Sequence, residues 1–297
     1  MKINSFCLTC LIQMQESQVR KFDDEEKKMK YMREILAFLS SCNPDLSAPA
    51  LVKPLSRIYE KYWGIRDGMA EVKKEFNDFL LSMEKDIEEQ IRRHEDPLEA
   101  ALCFARTGNY IDYAAVKDIS KEKLLELFEE QGKEGLDRKE YERLLGDLKK
   151  AQKLVYLTDN CGEVVLDKIA LKILREYYPV LEMTAVVRGA PVVNDADIEA
   201  AHATGLDTVV RVIDNGSDIA GTDLDDISDE AREEIESSDI IISKGQGNFE
   251  TIHGCGLNIY YLFLCKCDWF MRRFRAERYQ GMLVNERRIL HEGDISA

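Results

Sequence analysis

The stretch Leu154–Asp167, LVYLTDNCGEVVLD, decides the fold of this chain. Its apolar first part has the length and residue types of a buried strand, and it stops at Asp159 and Asn160. After a turn at Gly162 the sequence takes up the spacing of a helix. The pattern therefore places a carboxylate and a carboxamide at the C-terminal end of a strand, which is the edge of an open α/β sheet where ligands bind.

Strand-like runs and helical stretches alternate from Lys153 onward, whereas residues 1 to about 150 show helical spacing. Alternating strands and helices imply right-handed crossovers and a parallel sheet covered on both faces. The further predicted strands are MTAVV (183–187), TVVRVI (208–213), DIIIS (239–243) and NIYYLFL (258–264). The prediction is an α/β protein with an N-terminal helical domain, residues 1–135, followed by a Rossmann-like αβα sandwich with a mainly parallel sheet, residues 136–297.

The basic tail RRFRAERYQGMLVNERR (272–288) carries Phe274 and Tyr279 at helical spacing. This spacing predicts that the tail packs against the sheet while its arginines remain solvated.

The composition excludes several classes of function. The 297 residues carry a net charge of −15, which disfavours binding to nucleic acid or to an anionic membrane. The apolar runs are shorter than the roughly 20 residues that span a bilayer, and the first 15 residues do not form a convincing secretory leader. We therefore expect a cytoplasmic protein whose eight cysteines are reduced thiols.

Two later strand ends also finish in polar clusters, RGAPVVNDAD (188–197) and SKGQGNFE (243–250). Asp159, Asn160 and Asp195 offer hard oxygen ligands, which suit Mg²⁺ or Mn²⁺ better than zinc. The cationic side chains of Arg188 and Lys244 can neutralise phosphoryl oxygens.

Asn248 can donate a hydrogen bond to the same group, and glycines near these strand ends allow backbone N–H groups to approach an anion. Each cluster alone has a simpler explanation as a turn or a helix cap. Their equivalent positions at three strand ends favour one shared metal and phosphate site.

The chain resembles the metal-dependent damage-control phosphatase family, in its compact prokaryotic and archaeal branch. The matching segments are TDNCGEVVLD (158–167), VRGAPVVNDAD (187–197), DNGSDIAGT (214–222), SKGQGNFET (243–251) and ARTGNYIDYA (105–114). The resemblance implies a phosphomonoester hydrolase that acts on small phosphorylated metabolites such as sugar phosphates or nucleotides. It also implies a divalent cofactor, Mn²⁺, Co²⁺, Ni²⁺ or Mg²⁺.

By this resemblance Asp159, Asn160 and Asp195 are the metal ligands, and these three residues with Lys244 form the catalytic set. Substrate or phosphate contacts fall on Asn109, Asp112, Arg188, Lys244 and Asn248. Two mechanisms stay open, direct attack by water that the metal activates and formation of a phosphoenzyme. We favour the first, because the aspartates serve as ligands, and Asp112 or Glu163 would orient the water.

Two other functions are consistent with a Rossmann-like sheet. One is carboxyl methylation with S-adenosylmethionine, although Asp-Asn-Cys-Gly is not the glycine-rich loop that this cofactor prefers. The other is a non-catalytic protein that binds a phosphorylated ligand.

The cysteine pairs Cys7/Cys10 and Cys265/Cys267 stand apart from this site in the sequence. They would form a zinc or redox centre or, as we favour, remain ordinary thiols.

Overall fold

The computed structural model describes residues 1–64, 69–108 and 121–289 of the chain. The strands are β1 (Lys153–Leu157), β2 (Glu182–Val187), β3 (Arg211–Asp214), β4 (Ile240–Lys244), β5 (Ile259–Leu264) and β6 (Gly281–Asn285). The helices are α1 (Ser5–Val19), α2 (Glu25–Ser41), α3 (Ala48–Trp63), α4 (Met69–Arg92), α5 (Pro97–Thr107), α6 (Lys121–Glu134), α7 (Arg138–Leu148), α8 (Glu163–Tyr177), α9 (Ile198–Thr204), α10 (Asp229–Glu236), α11 (Gly245–Ile252) and α12 (Asp268–Phe274). The predicted order, helices first and then alternating strands and helices, is confirmed.

The strands form one sheet in the order β3-β2-β1-β4-β5-β6. In this order, each strand from β3 through β5 pairs with its neighbour in parallel. The last strand, β6, pairs antiparallel with β5. The chain leaves β1 toward one side of the sheet and returns at β4 on the other side. The carboxyl ends of β1 and β4 therefore flank the topological switch point, where open α/β sheets bind their ligands.

Both faces of the sheet are buried, as the apolar strand sequences predict. Leu154 and Tyr156 of β1 face a core that is shared with helices α4 to α9. Val155 and Leu157 point to the opposite face, where α10, α11 and α12 pack. Complete burial of such a side chain contributes about 1.5–3 kcal/mol, so this double-sided core stabilises the sheet edge that carries the polar residues.

Helices α1, α2 and α3 have a smaller core of their own, centred on Tyr31, Leu51 and Leu55. The Tyr31 ring lies edge-on to the rings of Tyr59 and Trp63. Helix α3 contacts α11, and α1 contacts α12. The division of the chain at residue 135 stays a prediction, and no helix in the described part of the chain is long and apolar enough to cross a membrane.

Two predicted elements differ from the structure. The strand expected at 208–213 begins only at Arg211, because Leu206–Thr208 forms a 3₁₀ turn.

The tail is not helical throughout. It starts in α12 and then forms β6, which pairs antiparallel with β5 from Leu264 and Gly281 to Tyr260 and Asn285. Strand β5 is buried along its whole length, so its outer edge needs a hydrogen-bonding partner, and the three apolar residues Met282–Val284 supply it.

Candidate functional site

The end of β1 turns sharply into α8 and holds Asp159 and Asn160 at the switch point. The turn closes at Gly162, whose φ of 77° is unfavourable for residues with a side chain, and α8 begins at the next residue. The Gly162 N–H donates to Asn77 Oδ1 of α4 at 2.6 Å. Asp159 is 8% exposed, so its carboxylate lies almost wholly out of water.

Asp195 reaches this turn through a loop that follows β2 and runs back along the extension of β1. The Ala196 N–H donates to the carbonyl of Asp159 at 2.8 Å, and Asn160 and Asp195 pair as an antiparallel bridge. The predicted ligands Asp159, Asn160 and Asp195 therefore lie together, although Asp195 comes 35 positions after Asn160 in the sequence.

Arg188 ties the two carboxylates to one another. Its Nε donates to Asp195 Oδ2 at 2.6 Å, and its Nη2 lies 3.7 Å from Asp159 Oδ1. Burial raises the pKa of Asp195, and the guanidinium of Arg188 opposes that rise. Both terminal nitrogens of Arg188 are buried without a hydrogen-bond partner among the described residues, so the side chain retains donor capacity beside the aspartates.

Lys244, the last residue of β4, is fully buried rather than exposed to a ligand. Its ammonium group donates to Glu163 Oε1 at 2.5 Å, Asp167 Oδ1 at 2.6 Å and the Ala105 carbonyl at 2.9 Å. Burial alone would lower the pKa of Lys244, but the carboxylates of Asp167 and Glu163 raise it above its ordinary value. The predicted contact between Lys244 and phosphate stays a prediction, and in this structure three protein oxygens already use the ammonium group.

Asn248 is likewise buried in the first turns of α11. Its amide nitrogen donates to the carbonyls of Thr158 and Lys244, and its oxygen accepts from Thr222 Oγ1 at 2.8 Å. These bonds join the ends of β1 and β4, while a phosphate contact from Asn248 stays a prediction. The predicted contacts Asn109 and Asp112 lie outside the described residues.

The three proposed ligands line one cavity of about 350 Å³ between the sheet edge and helices α1 and α3. The wall next to the ligands includes Gly108 at the end of α5 and Asn194.

The charges beneath this cavity fit a divalent cation. Among the described residues, the connected buried network contains four carboxylates and two cationic groups, an excess of two acidic groups. These are Asp159, Glu163, Asp167 and Asp195 against Arg188 and Lys244.

Burial, with repulsion from Glu163 and Asp195, raises the pKa of Asp159 to about 8. A bound divalent cation would relieve this cost, and two carboxylates and a carboxamide are a donor set suited to hard cations.

The cavity wall also contains polar residues that the sequence motifs did not single out. Lys266 follows β5, and it is close enough to lower the pKa of Asp159. Its backbone N–H donates to Gln246 Oε1 at 3.0 Å, which fixes the loop after β5 against α11. Glu250 lies on the same wall, and burial raises its pKa to about 7. The sequence could have indicated Lys266 as a site residue, because it follows the parallel strand β5. It lies between Cys265 and Cys267, and that cysteine pair drew the interpretation instead.

Cysteine is not among the proposed cation ligands, although one cysteine lies next to them. Cys161, next to the proposed ligands, is buried, and burial raises the pKa of its thiol to about 12. No cluster of three or more His, Cys, Asp or Glu side chains in the described part of the chain is arranged to hold a metal ion. The proposed ligand set of the candidate site includes a carboxamide, that of Asn160, which this search does not cover.

Comparison with known proteins finds relatives that match most of the chain. A family profile described as the damage-control phosphatase ARMT1-like domain matches residues 3–281. A damage-control phosphatase of Archaeoglobus fulgidus is 30% identical over 275 residues, which cover 90% of this chain and 93% of that protein. A damage-control phosphatase of Pyrococcus horikoshii is 29% identical over 291 residues, covering 96% and 97%.

A solved structure shows the same fold. The crystal structure of a DUF89 family protein from Pyrococcus horikoshii has a TM-score of 0.81 at 28% sequence identity. The match covers 96% of this chain and 99% of that one, so it includes both the helical part and the sheet.

Proposed function

The chain belongs to the ARMT1-like damage-control phosphatase family, and from that premise we propose that it hydrolyses the phosphomonoester bond of small phosphorylated metabolites with a divalent cation. The substrates would be sugar phosphates or nucleotides, and the cation Mn²⁺, Co²⁺, Ni²⁺ or Mg²⁺. One observation carries the proposal: Asp159, Asn160 and Asp195 line one cavity above a buried network in which, among the described residues, carboxylates outnumber cationic side chains by two.

Asp159, Asn160 and Asp195 would hold the cation. When bound there, it would polarise a phosphoryl oxygen and make a water molecule more acidic. Arg188 keeps the two carboxylates in place from below, through its bond to Asp195 and its approach to Asp159.

Among the described residues, Lys266 provides a cationic side chain on the cavity wall that would neutralise the remaining phosphoryl charge. The N-terminal turn of α11, with Gln246 and Gly247 on the same wall, would present backbone N–H groups to the phosphate. This arrangement favours attack by water over a phosphoenzyme, because both aspartates are engaged with Arg188 and the cation site.

The family and the names of its members favour a phosphatase over methyl transfer. A phosphatase can be told from a protein that only binds phosphorylated ligands by turnover. We would measure phosphate release from an aryl phosphate and from a panel of sugar phosphates, using metal-stripped protein with each divalent cation restored in turn.

We expect release only with cation present. It should fall by about 10³-fold or more in Asp159→Asn and Asp195→Asn, because charge stabilisation at the phosphoryl group is the largest catalytic contribution.

Asp239→Asn is the matched control. Asp239 accepts from the N–H groups of Gln152 and Lys153 at the opposite edge of the same sheet, so this variant should retain turnover. Full turnover in Asp159→Asn would contradict the ligand assignment, and binding without turnover in the wild type would identify a binding protein.

A further inference from the structure

The carboxylate of Glu163 takes part in the buried network but does not line the cavity. Glu163 is the first residue of α8 and is 3% exposed. It faces Lys244 with one oxygen and Asn160 with the other, at 2.5 Å from Lys244 Nζ and 3.1 Å from Asn160 Nδ2. A carboxylate placed between a buried cation and a proposed metal ligand can control the orientation of that ligand.

The orientation of the Asn160 carboxamide is chemically determined by its neighbours. Its nitrogen lies 2.8 Å from Asp159 Oδ2 and 3.1 Å from Glu163 Oε2. Only the NH₂ end of an amide can donate to carboxylates, so the two acceptors exclude the flipped rotamer. The carbonyl end of Asn160 is then directed away from both carboxylates, as a cation ligand requires.

The position of Glu163 is itself fixed by Lys244, whose ammonium group has all three of its N–H donors in use. We call this group of contacts the anchor. An ammonium group has three N–H donors, and Lys244 uses them on Glu163, Asp167 and the carbonyl of Ala105. Asp167, one helical turn after Glu163, also accepts from the Tyr156 hydroxyl at 2.7 Å. The anchor therefore ties α8 to β1, β4 and the end of α5.

We propose that Glu163 is a positioning residue which holds the Asn160 carboxamide with its oxygen toward the cation, and that Lys244 acts by anchoring Glu163 rather than by touching phosphate. The inference rests on the proposed cation site. It assigns Lys244 a place behind the ligands, consistent with its complete burial and its three protein partners.

The test compares Glu163→Gln with Asp167→Asn. Both variants convert a buried carboxylate that contacts Lys244 into its isosteric carboxamide, but only Glu163 contacts Asn160. The readout is the dissociation constant for Mn²⁺, measured by calorimetry without substrate. We expect Glu163→Gln to weaken binding by about 10–100-fold, the usual effect of losing an outer-shell partner, and Asp167→Asn to cause no more than about a tenth of that loss. Equal losses of Mn²⁺ affinity in the two variants would mean that Glu163 contributes only its negative charge. That result would overturn its assignment as a positioning residue.

The variant Glu163→Asp distinguishes the effect of the negative charge from the effect of side-chain length. It remains informative if Glu163→Gln does not fold. It keeps the negative charge but is one methylene too short to bridge Asn160 and Lys244, so it should also bind Mn²⁺ more weakly. Affinity equal to wild type in Glu163→Asp would contradict the proposal.

Inorganic phosphate tests the assignment of Lys244 directly. We would measure its binding to Lys244→Met at saturating Mn²⁺. An anchoring role predicts nearly unchanged phosphate affinity, whereas loss of a direct charged hydrogen bond of about 1.5–3 kcal/mol would weaken it by about 10-fold or more. Such a loss would overturn the proposal for Lys244. Failure of the wild type to bind Mn²⁺ at all would instead reject the proposed function.

Discussion

At the scale of single residues, the position of the Asp159 carboxylate depends on the close approach of the backbone at Gly245. Gly245, directly after β4, has a φ of 75°. A Cβ at this position would lie 2.0 Å from Asp159 Oδ2, so only glycine lets the end of β4 come this close to the proposed ligand. The motif SKGQGN thus needs its first glycine for space as well as for backbone conformation.

Gly245→Ala is therefore expected to displace Asp159 and to reduce turnover by about 100-fold, since a displacement near 1 Å can have that effect. Gly64→Ala is the matched control, because Gly64 has a φ of 82° but no atom within 4 Å of its added Cβ. Both variants should lose about 1–2 kcal/mol of stability to backbone strain. Turnover and urea unfolding measured on both would separate strain from displacement, and equal turnover would refute the steric argument.

At the scale of elements, the last strand completes the sheet that carries the site. Strand β6 covers the outer edge of β5, and its Leu283 is 3% exposed and packs in the core shared with α4 to α9. The sequence around it is basic and polar, so three apolar residues gave too short a signal for a strand. Pairing with β5 decides the conformation, because an unpaired strand edge leaves backbone groups unsatisfied.

Leu283→Ala should lower the free energy of unfolding by about 2–5 kcal/mol, the usual cost of a cavity left by a truncated core leucine. Leu36→Ala provides the comparison, since Leu36 on α2 is 47% exposed and should lose less than about 0.5 kcal/mol. Denaturant titration of both proteins would check this. A loss below 1 kcal/mol for Leu283→Ala would mean that β6 is not part of the cooperative core.

At the scale of the whole molecule, electrostatics connects folding with the cation. The chain carries a net charge of −15, and among its described residues the buried network holds four carboxylates against two cationic side chains. Buried excess charge opposes folding unless a counter-charge is present. We therefore expect a cation bound at the proposed site to stabilise the entire fold.

Saturating Mn²⁺ is expected to stabilise the wild-type protein by about 2.7 kcal/mol at 100 times its dissociation constant. Thermal unfolding with and without the cation would show this as a higher melting temperature. The increase should be absent in Asp159→Asn and retained in the control Asp239→Asn. An equal increase in all three proteins would show that Mn²⁺ stabilises them elsewhere.

The sequence predicted the fold class, the parallel strands and the contribution of Asp159 and Asn160 to one strand end. These features depend on local order: hydrophobic periodicity sets the elements, and the strand-to-helix turn places neighbouring residues together. The equivalent positions at strand ends also predicted that Asp195 lies beside Asp159 and Asn160, and the structure brings Asn160 and Asp195 together. Their role as metal ligands stays a prediction.

Other features depended on contacts between distant parts of the chain. Burial of Lys244 and Asn248, the anchoring of Glu163 and the presence of Lys266 on the cavity wall arise where β1, β4, β5 and α8 converge. Sequence spacing can bring a lysine to a strand end, but it does not reveal whether a ligand or another carboxylate receives its hydrogen bonds. Those partners are set by tertiary packing, because burial forces each polar group to find the acceptor that the neighbouring element supplies.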